Sequence, residues 1–337
     1  LKERTAKRTK AVYGHNKRIP GLAARAKYVW RLSGTPAPSD ASELYTHLKS
    51  AGLVTENWYD FVARFCTGYS SDYGFKITGH KNEAELKTLL EPFMLRRMKD
   101  QVLTELPPLT FQEVTVERNK VELDPYFYDQ IRNKTVDDFY TELKMNDTVL
   151  RAAIETVAGN RLHPAKDRLQ VLEGMASSMS TLRRYIGLAK LKSVADVLFE
   201  ELESGKVDKI VLFAVHKDVI EGLRERLAKF GAVTLYGGTP ADKRQRHIDA
   251  FQNDPKCRVF IGNITAAGTG ITLTTAHEVA FVEASWVPAD NAQAAMRCHR
   301  IGQTQPVRCR FFSCEGSVDE EVMRALRRKT AELAKIF

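Results

Sequence analysis

A chain of 337 residues, 43% hydrophobic and 28% charged, has room for about two domains and the make-up of an ordinary globular protein. Its longest uninterrupted apolar run is six residues, Ile210 to Val215, against the roughly 20 that a membrane helix needs, so no membrane span is expected. No secretory leader opens the sequence, and five cysteines without a C-x-x-C pair argue against a disulfide framework or a zinc knuckle. A reducing intracellular compartment is the expectation.

The formal net charge is +9, and residues 1–31 hold all of it: ten basic groups (Lys2, Arg4, Lys7, Arg8, Lys10, Lys17, Arg18, Arg25, Lys27 and Arg31) against the single acid Glu3. The remainder of the chain is neutral. Such a cluster is the footprint of a polyanion, most often nucleic acid, and its alternative is a solvated helix face.

In chain order, a basic helix comes first. Lys27 to Leu32 is expected as a short buried strand, left through the turn Ser33-Gly34-Thr35-Pro36. The spacing predicts amphipathic helices over 40–51, 57–66 and 82–103, with a Gly- and Ser-containing loop over 67–81. Pro107-Pro108 is the strongest break and the expected domain boundary. Gln112 to Glu117 alternates as a strand, and 124–185 carries helical spacing. From Lys209 the pattern changes. Strands are expected at Ile210–Val215, Ala232–Tyr236, Arg258–Gly262, Val279–Glu283 and Val307–Ser313, with helices at 217–230, 240–252, 289–299 and 317–335. Thr239-Pro240 supplies an N-cap and a first-turn proline, and Ser317 with Glu320 a capping box. This alternation implies an α/β fold: a mostly parallel sheet with helices on both faces and ligands at the carboxyl ends of the strands.

Two stretches could carry chemistry. After the strand Arg258–Gly262, Asn263 to Ile271 holds Gly268 and Gly270, so exposed backbone N–H groups could approach phosphate or sugar; a tight strand-to-helix turn is the plainer alternative. Further on, Gln293, Arg297 and Arg300 fall at i, i+4 and i+7 of the expected helix. Two arginines so close repel unless an anion lies between them, and guanidinium forks match triphosphate oxygens. The alternative is a surface salt-bridge face. No G-x-x-x-x-G-K-[ST] occurs, since Gly205-Lys206 is followed by Val207, and no strand ends in an acid pair suited to Mg²⁺.

These residues resemble a known family. Arg300-Ile301-Gly302-Gln303, with Gln293 and Arg297 before it, is similar to motif VI of the Swi/Snf-related ATPases, superfamily-two helicase-like motors that translocate on double-stranded DNA. Other motifs follow in order. Ser33-Gly34-Thr35-Pro36 resembles motif III. Phe93 to Arg97 with Lys99, then Val102 to Pro107, resembles the crossing between the two lobes. Phe213 to Lys217 resembles motif IV, and Tyr236 to Thr239 with Arg244-Gln245 the element after it. Thr265 to Thr272 resembles motif V, and Ser285-Trp286-Val287-Pro288 the acid-Trp-Asn-Pro stretch. Ile264 to Ala267 and Glu283 look most like the HepA-related annealing-helicase branch. The sequence departs from the pattern at Ser285, Val287 and Met296, where the family more often has Asp, Asn and an acid.

The resemblance implies two RecA-like lobes with ATP between them. It places residues 1–106 as the C-terminal remnant of lobe one with a helical protrusion. It places 107–337 as lobe two, with a helical insertion at about 122–185 and a closing brace helix at about 317–337. The phosphate loop and the DExH box would lie upstream of Leu1, in a lobe-one part that acts as partner and holds most of the ATP and Mg²⁺. Arg297 and Arg300 would be arginine fingers, and Gly268, Gly270 and Gln293 would line the nucleotide side. Ser33, Gly34 and Thr35 would couple nucleotide state to DNA grip. His216, Lys217, Thr239, Arg244, Thr265 and Trp286 would follow the duplex backbone, although a core anchor is the alternative for Trp286 and a strand-end surface residue for His216. This chain alone is then expected not to hydrolyse ATP. Such a motor would be intracellular, in the cytoplasm or nucleoid if prokaryotic or viral and in the nucleus if eukaryotic. The rival reading is a non-catalytic nucleic-acid-binding or regulatory module built on lobe two; a dinucleotide enzyme lacks its third glycine and acidic partner.

Overall fold

The structure is a computed structural model. It describes residues 4, 6–14, 19–34, 36, 37, 40–71, 74–97, 99–121, 136–145, 166–268 and 270–336. Thr35 and much of the expected insertion lie outside these residues. The chain divides into two compact units: Leu1–Arg96 with Arg327–Phe337, and Arg97–Leu326.

Eight strands and twelve α-helices are described. The strands are β1 Cys66–Ser71, β2 Gly74–His80, β3 Leu109–Thr115, β4 Ile210–Ala214, β5 Val233–Leu235, β6 Val259–Asn263, β7 Glu278–Phe281 and β8 Val307–Ser313. The helices are α1 Lys7–Tyr13, α2 Tyr45–Ser50, α3 Trp58–Phe65, α4 Glu83–Leu90, α5 Lys99–Val102, α6 Val136–Met145, α7 Lys166–Glu203, α8 Lys217–Arg226, α9 Ala241–Asn253, α10 Ile264–Ala267, α11 Pro288–Ala295 and α12 Val318–Ile336.

In the first unit, Asp40 and Glu43 form a capping box at the turn before α2, and Asn57 Oδ1 accepts from Tyr59 and Asp60 N–H at the start of α3. Leu44, Leu48, Phe61, Phe65 and Leu86 are fully buried together. Three expectations fail here. The segment 67–81 is not a loop. It is an antiparallel hairpin, β1 on β2, because Tyr69, Phe75 and Ile77 supply strand spacing between the glycines, with a bulge at Thr67/Gly68. The helix expected over 82–103 is two, α4 and α5: Pro92 cannot continue α4, which ends at Leu90. Lys27 to Leu32 forms no ladder with the described residues. Its Tyr28, Trp30 and Leu32 are 75%, 85% and 91% exposed, while Val29 and Arg31 between them are partly covered. The period of two is present without a sheet to receive it.

In the second unit, six strands make one parallel sheet of order β3-β8-β7-β4-β6-β5, with β4 between β6 and β7. Successive residues of each strand point to opposite faces, and both faces are covered. Val211, Phe213, Phe281 and Phe311 pack on one face with Phe251 of α9 and Ala294 of α11. Ile210, Leu212, Ala214 and Ala280 pack on the other, under Leu198 of α7 and Leu223 of α8. The α/β sheet expected from the sequence is therefore present. A third cluster joins α6 and α7 to Val318, Val322 and Leu326 of α12.

The cap expectations are met only in part. Pro240 stands at the N-cap of α9 rather than in its first turn, and the Thr239 hydroxyl instead accepts from Tyr236 N–H at 3.0 Å. Ser317 Oγ accepts from Asp319 N–H at 3.3 Å, while the Glu320 carboxylate accepts from Gly316 N–H at 2.7 Å, one residue earlier than a capping box requires. Pro108 sits at the entrance to the sheet, where its carbonyl accepts from Val307 N–H at 2.9 Å. Among the described residues, no helix is long and apolar enough to cross a membrane.

Candidate functional site

Because the sheet is parallel, the exits of β4, β5, β6 and β7 share one rim of the second unit. Each exit is built locally. Asn263 closes β6 and opens α10: its Oδ1 accepts from Thr265 and Ala266 N–H at 3.1 Å each, and its Nδ2 donates to Val215 O at 2.7 Å, tying the β6 exit to that of β4. Gly268 must be glycine, because a Cβ there would stand 2.3 Å from Ile264 O. Gly270 turns the chain with φ +75, in the left-handed region. Beyond it, Ile271 to Leu273 runs alongside the loop after α11, with Leu273 N–H donating to Arg297 O at 2.9 Å.

The expected helix 289–299 stops at Ala295, so Arg297 and Arg300 lie on the following turns rather than on a helix face. They converge nonetheless. Arg297 Nη1 and Arg300 Nη1 donate to the same carbonyl, Ile271 O, at 3.3 and 3.2 Å. Arg297 Nε also donates to Gln293 O at 3.0 Å, and Arg300 Nη1 to Thr272 Oγ1 at 3.1 Å. Gln303 holds the loop. Its Nε2 donates to Ala276 O at 2.9 Å and Thr274 O at 3.2 Å, and its Oε1 accepts from Thr304 and Gln305 N–H.

A third cation completes this group. Lys99 of α5 donates to His299 O at 2.6 Å, on the backbone between the two arginines. Among the described residues, no carboxylate pairs with Lys99, Arg297 or Arg300. Burial, followed by the neighbouring Arg300, lowers the pKa of Arg297; burial, followed by Arg300 and then Arg297, lowers that of Lys99. Three like charges with no acid beside them among the described residues repel one another, and a multiply charged anion would relieve that repulsion. Among the described residues, no cluster of three His, Cys, Asp or Glu side chains could hold a metal ion.

Of the other expected site residues, Lys217, Thr265 and Gly270 are exposed on the rim, and Gln293, His216, Thr239 and Arg244 are partly exposed. Lys217 Nζ lies 5.4 Å from the centre of the Tyr236 ring, and the Arg244 guanidinium donates to Ala266 O, tying α9 to α10, which carries Thr265. His216 is clasped: its Nδ1 is 2.6 Å from Glu283 Oε1, while Glu283 Oε2 accepts from Val215 and His216 N–H at 2.9 Å each. Burial pushes the Glu283 carboxyl up, but these hydrogen bonds and nearby Arg183 outweigh it and hold the group below the usual carboxylate range. Ser33 and Gly34 are exposed in the first unit, away from any ladder.

Trp286 corrects the sequence reading. It is 2% exposed, packed with Ile186, Val318 and Val322, and the Arg183 guanidinium lies 5.1 Å from its ring centre. An indole buried so deeply is a core anchor in this structure, the alternative the sequence offered, and presents no surface to a duplex here. Sequence reasoning also left two residues without a role, Gln303 and Lys99. Both stand inside motifs that were recognised, but only the fold shows what their polar atoms reach.

Comparison with known proteins identifies the domains of the chain. Residues 18–164 match the SNF2-related domain, and residues 189–302 match the helicase conserved C-terminal domain. The chain is 31% identical over 320 residues to the SWI/SNF-related matrix-associated actin-dependent regulator of chromatin subfamily A-like protein 1 of Drosophila melanogaster, covering 94% of this chain and 38% of that protein. It is 27% identical over 338 residues to the DNA annealing helicase and endonuclease ZRANB3 of Mus musculus, covering 98% of this chain and 28% of that protein. The chain thus spans well under half the length of these relatives. Among solved structures it is similar to the C-terminal part of the Fun30 ATPase domain, with TM-score 0.44 and 18% identity over 68% of this chain and 97% of that one. It is similar also to the Sulfolobus solfataricus SWI2/SNF2 ATPase core in complex with dsDNA, with TM-score 0.44 and 22% identity over 90% of this chain and 63% of that one. With an SNF2-related domain followed by a helicase conserved C-terminal domain, the chain belongs to the Swi/Snf-related family of superfamily-two helicase-like ATPases.

Proposed function

We propose that this chain is the C-terminal motor half of an ATP-dependent translocase on double-stranded DNA. In this reading Arg297 and Arg300 are the arginine fingers. The observation that carries it is their convergence on Ile271 O with no carboxylate to neutralise them among the described residues. Held this way, two guanidiniums offer their remaining N–H donors to the oxygens of a terminal phosphoryl group and stabilise the charge that develops there. ATP, once bound, supplies that group; the phosphate loop and the Mg²⁺ carboxylates belong to the family's first-lobe motifs, which do not occur in these residues.

Lys217, Thr239 and Thr265, with the Arg244-braced loop beneath them, serve as the track along one DNA backbone. Contacts to phosphate position a protein without reading bases, which suits a motor that moves along any duplex. The bare Tyr28, Trp30 and Leu32 face and the basic α1 region belong in this reading to lobe one, where the remaining sheet of that lobe covers the apolar row. Ser33 to Thr35 then links that sheet to the grip on DNA.

The test is DNA-stimulated ATP hydrolysis by the intact protein. Arg297→Ala and Arg300→Ala each lower turnover by roughly 10³-fold or more, while duplex affinity measured without nucleotide stays within about threefold. Near-normal turnover in both variants removes the finger assignment. The rival, a non-catalytic module, is favoured instead if the intact wild-type protein does not hydrolyse ATP with DNA present.

A further inference from the structure

We propose that Lys99 is a third ligand of the terminal phosphate, reaching the same anion as Arg297 and Arg300. The inference rests on the finger reading above and adds a residue from a different element.

The argument starts from the bond that Lys99 makes. Its ammonium donates to His299 O at 2.6 Å, and His299 stands between the two fingers in the chain. An ammonium has three N–H donors, and a carbonyl uses one. No other partner exists among the described residues, so two donors remain for a ligand. A neutral amide would satisfy a carbonyl as well as a lysine does. It would also avoid placing a third positive charge in the field of two arginines, which costs free energy unless an anion is bound there.

The segment that carries Lys99 is held in place from both ends. Leu103 N–H donates to Lys99 O at 2.7 Å within the short helix, and Pro107 O accepts from His299 Nε2 at 2.7 Å. His299 is 8% exposed, and its ring and its carbonyl thus fasten two points of the segment 99–107 to the finger loop. The lysine is pre-positioned, and binding an anion there requires little further ordering. Burial and the two arginines also lower its pKa, as a group awaiting a counter-charge would show.

The test is titration calorimetry of this 337-residue chain with inorganic tripolyphosphate, comparing wild type with Lys99→Gln, Lys99→Arg and Arg300→Ala. Lys99→Gln and Arg300→Ala each weaken binding roughly tenfold, and Lys99→Arg stays within about threefold. At about pH 9, near the titration range of lysine, wild type takes up protons as the anion binds, seen as a dependence of the heat on buffer ionisation, and Lys99→Gln takes up fewer. Lys99→Gln with wild-type affinity and wild-type proton uptake, beside a weakened Arg300→Ala, overturns the assignment of Lys99 and leaves the fingers standing. No binding by wild type, or no effect of Arg300→Ala, overturns the anion site as a whole. If Lys99→Gln fails to fold by circular dichroism, Lys99→Arg decides: wild-type-like affinity with lost proton uptake supports the proposal, because arginine stays charged at that pH, and unchanged uptake refutes it.

Discussion

Gly187, inside α7, tests whether the Glu283 clasp is rigid. A Cβ there would stand 2.7 Å from Glu283 Oε1, 3.0 Å from its Cδ and 2.9 Å from Val219 Cγ2. In an unobstructed helix interior, Gly→Ala stabilises by about 1 kcal/mol. Here the obstacle is a carboxylate that is 3% exposed and accepts from two backbone N–H groups and the His216 ring. Ordinary contact needs a retreat of about 0.7 Å, which stretches at least one of those bonds beyond a useful length. Losing a charge-assisted hydrogen bond costs about 1.5–3 kcal/mol, and overpacking alone about 1–3 kcal/mol. The obstacle wins, and Gly187→Ala is expected to destabilise by about 1–3 kcal/mol. Gly222 of α8 is the control. A Cβ there meets only the tips of Leu191, Cδ2 at 3.0 Å and Cδ1 at 3.1 Å, which can turn aside. Gly222→Ala is therefore neutral or stabilising by up to about 1 kcal/mol. Urea unfolding followed by Trp286 fluorescence in a Trp30→Phe, Trp58→Phe background gives both values from midpoint and slope. If both variants stabilise equally, the carboxylate yields as easily as a leucine tip, and the clasp is not rigid.

Three further outcomes follow from the same contacts. The 337-residue chain alone, which carries no phosphate-loop motif, shows no DNA-stimulated ATP turnover; turnover abolished by Arg300→Ala would refute this. Glu283 has a depressed folded pKa, so the stability it contributes is present above the ordinary carboxylate range and is lost as pH falls through the lowered value; Glu283→Gln flattens that acid limb, and an unchanged limb refutes the assignment. Lys217→Ala makes the log–log salt dependence of duplex affinity shallower by about 0.9, the share of one phosphate contact, and an unchanged slope takes Lys217 off the track.

The sheet was legible because its strands are apolar runs bounded by turn residues, and burial on both faces demands such runs. Ile210 to Ala214 is fully buried, so every residue type there is constrained. The hairpin over 66–80 was not legible, because glycine and serine in thin, half-exposed strands carry the signature of a turn. Lys27 to Leu32 misled in the opposite direction: its residues have a strand's chemistry, but pairing is a property of neighbours. In the site, the pair Arg297 and Arg300 was visible as a motif and as a charge problem. The helix supposed to align them was not what aligned them. Four alanines in α11 extended the helical pattern on paper, whereas the Gln303 amide and Ile271 O decide the real path, and amide-to-carbonyl bonds across almost 30 residues leave no periodic trace.

In the proposed reading, Trp286 supports the DNA track without touching the duplex. Its ring fills the space between α7 and α12, and Arg183 beside it donates to Ala284 O and lies near Glu283. Glu283 in turn orients His216 at the exit of β4. The indole thus backs the rim from behind. Its N–H has no partner among the described residues, so Trp286→Phe removes an unpaired donor as well as volume. The two effects oppose each other, and the net cost is expected to be about 1 kcal/mol, whereas Trp286→Ala opens a cavity and costs about 3–5 kcal/mol. A backing role predicts that Trp286→Phe leaves the salt slope of duplex binding unchanged, since no phosphate contact is lost. A slope as shallow as that of Lys217→Ala would mean that the indole does reach the backbone, and that α12 swings away from it when DNA binds.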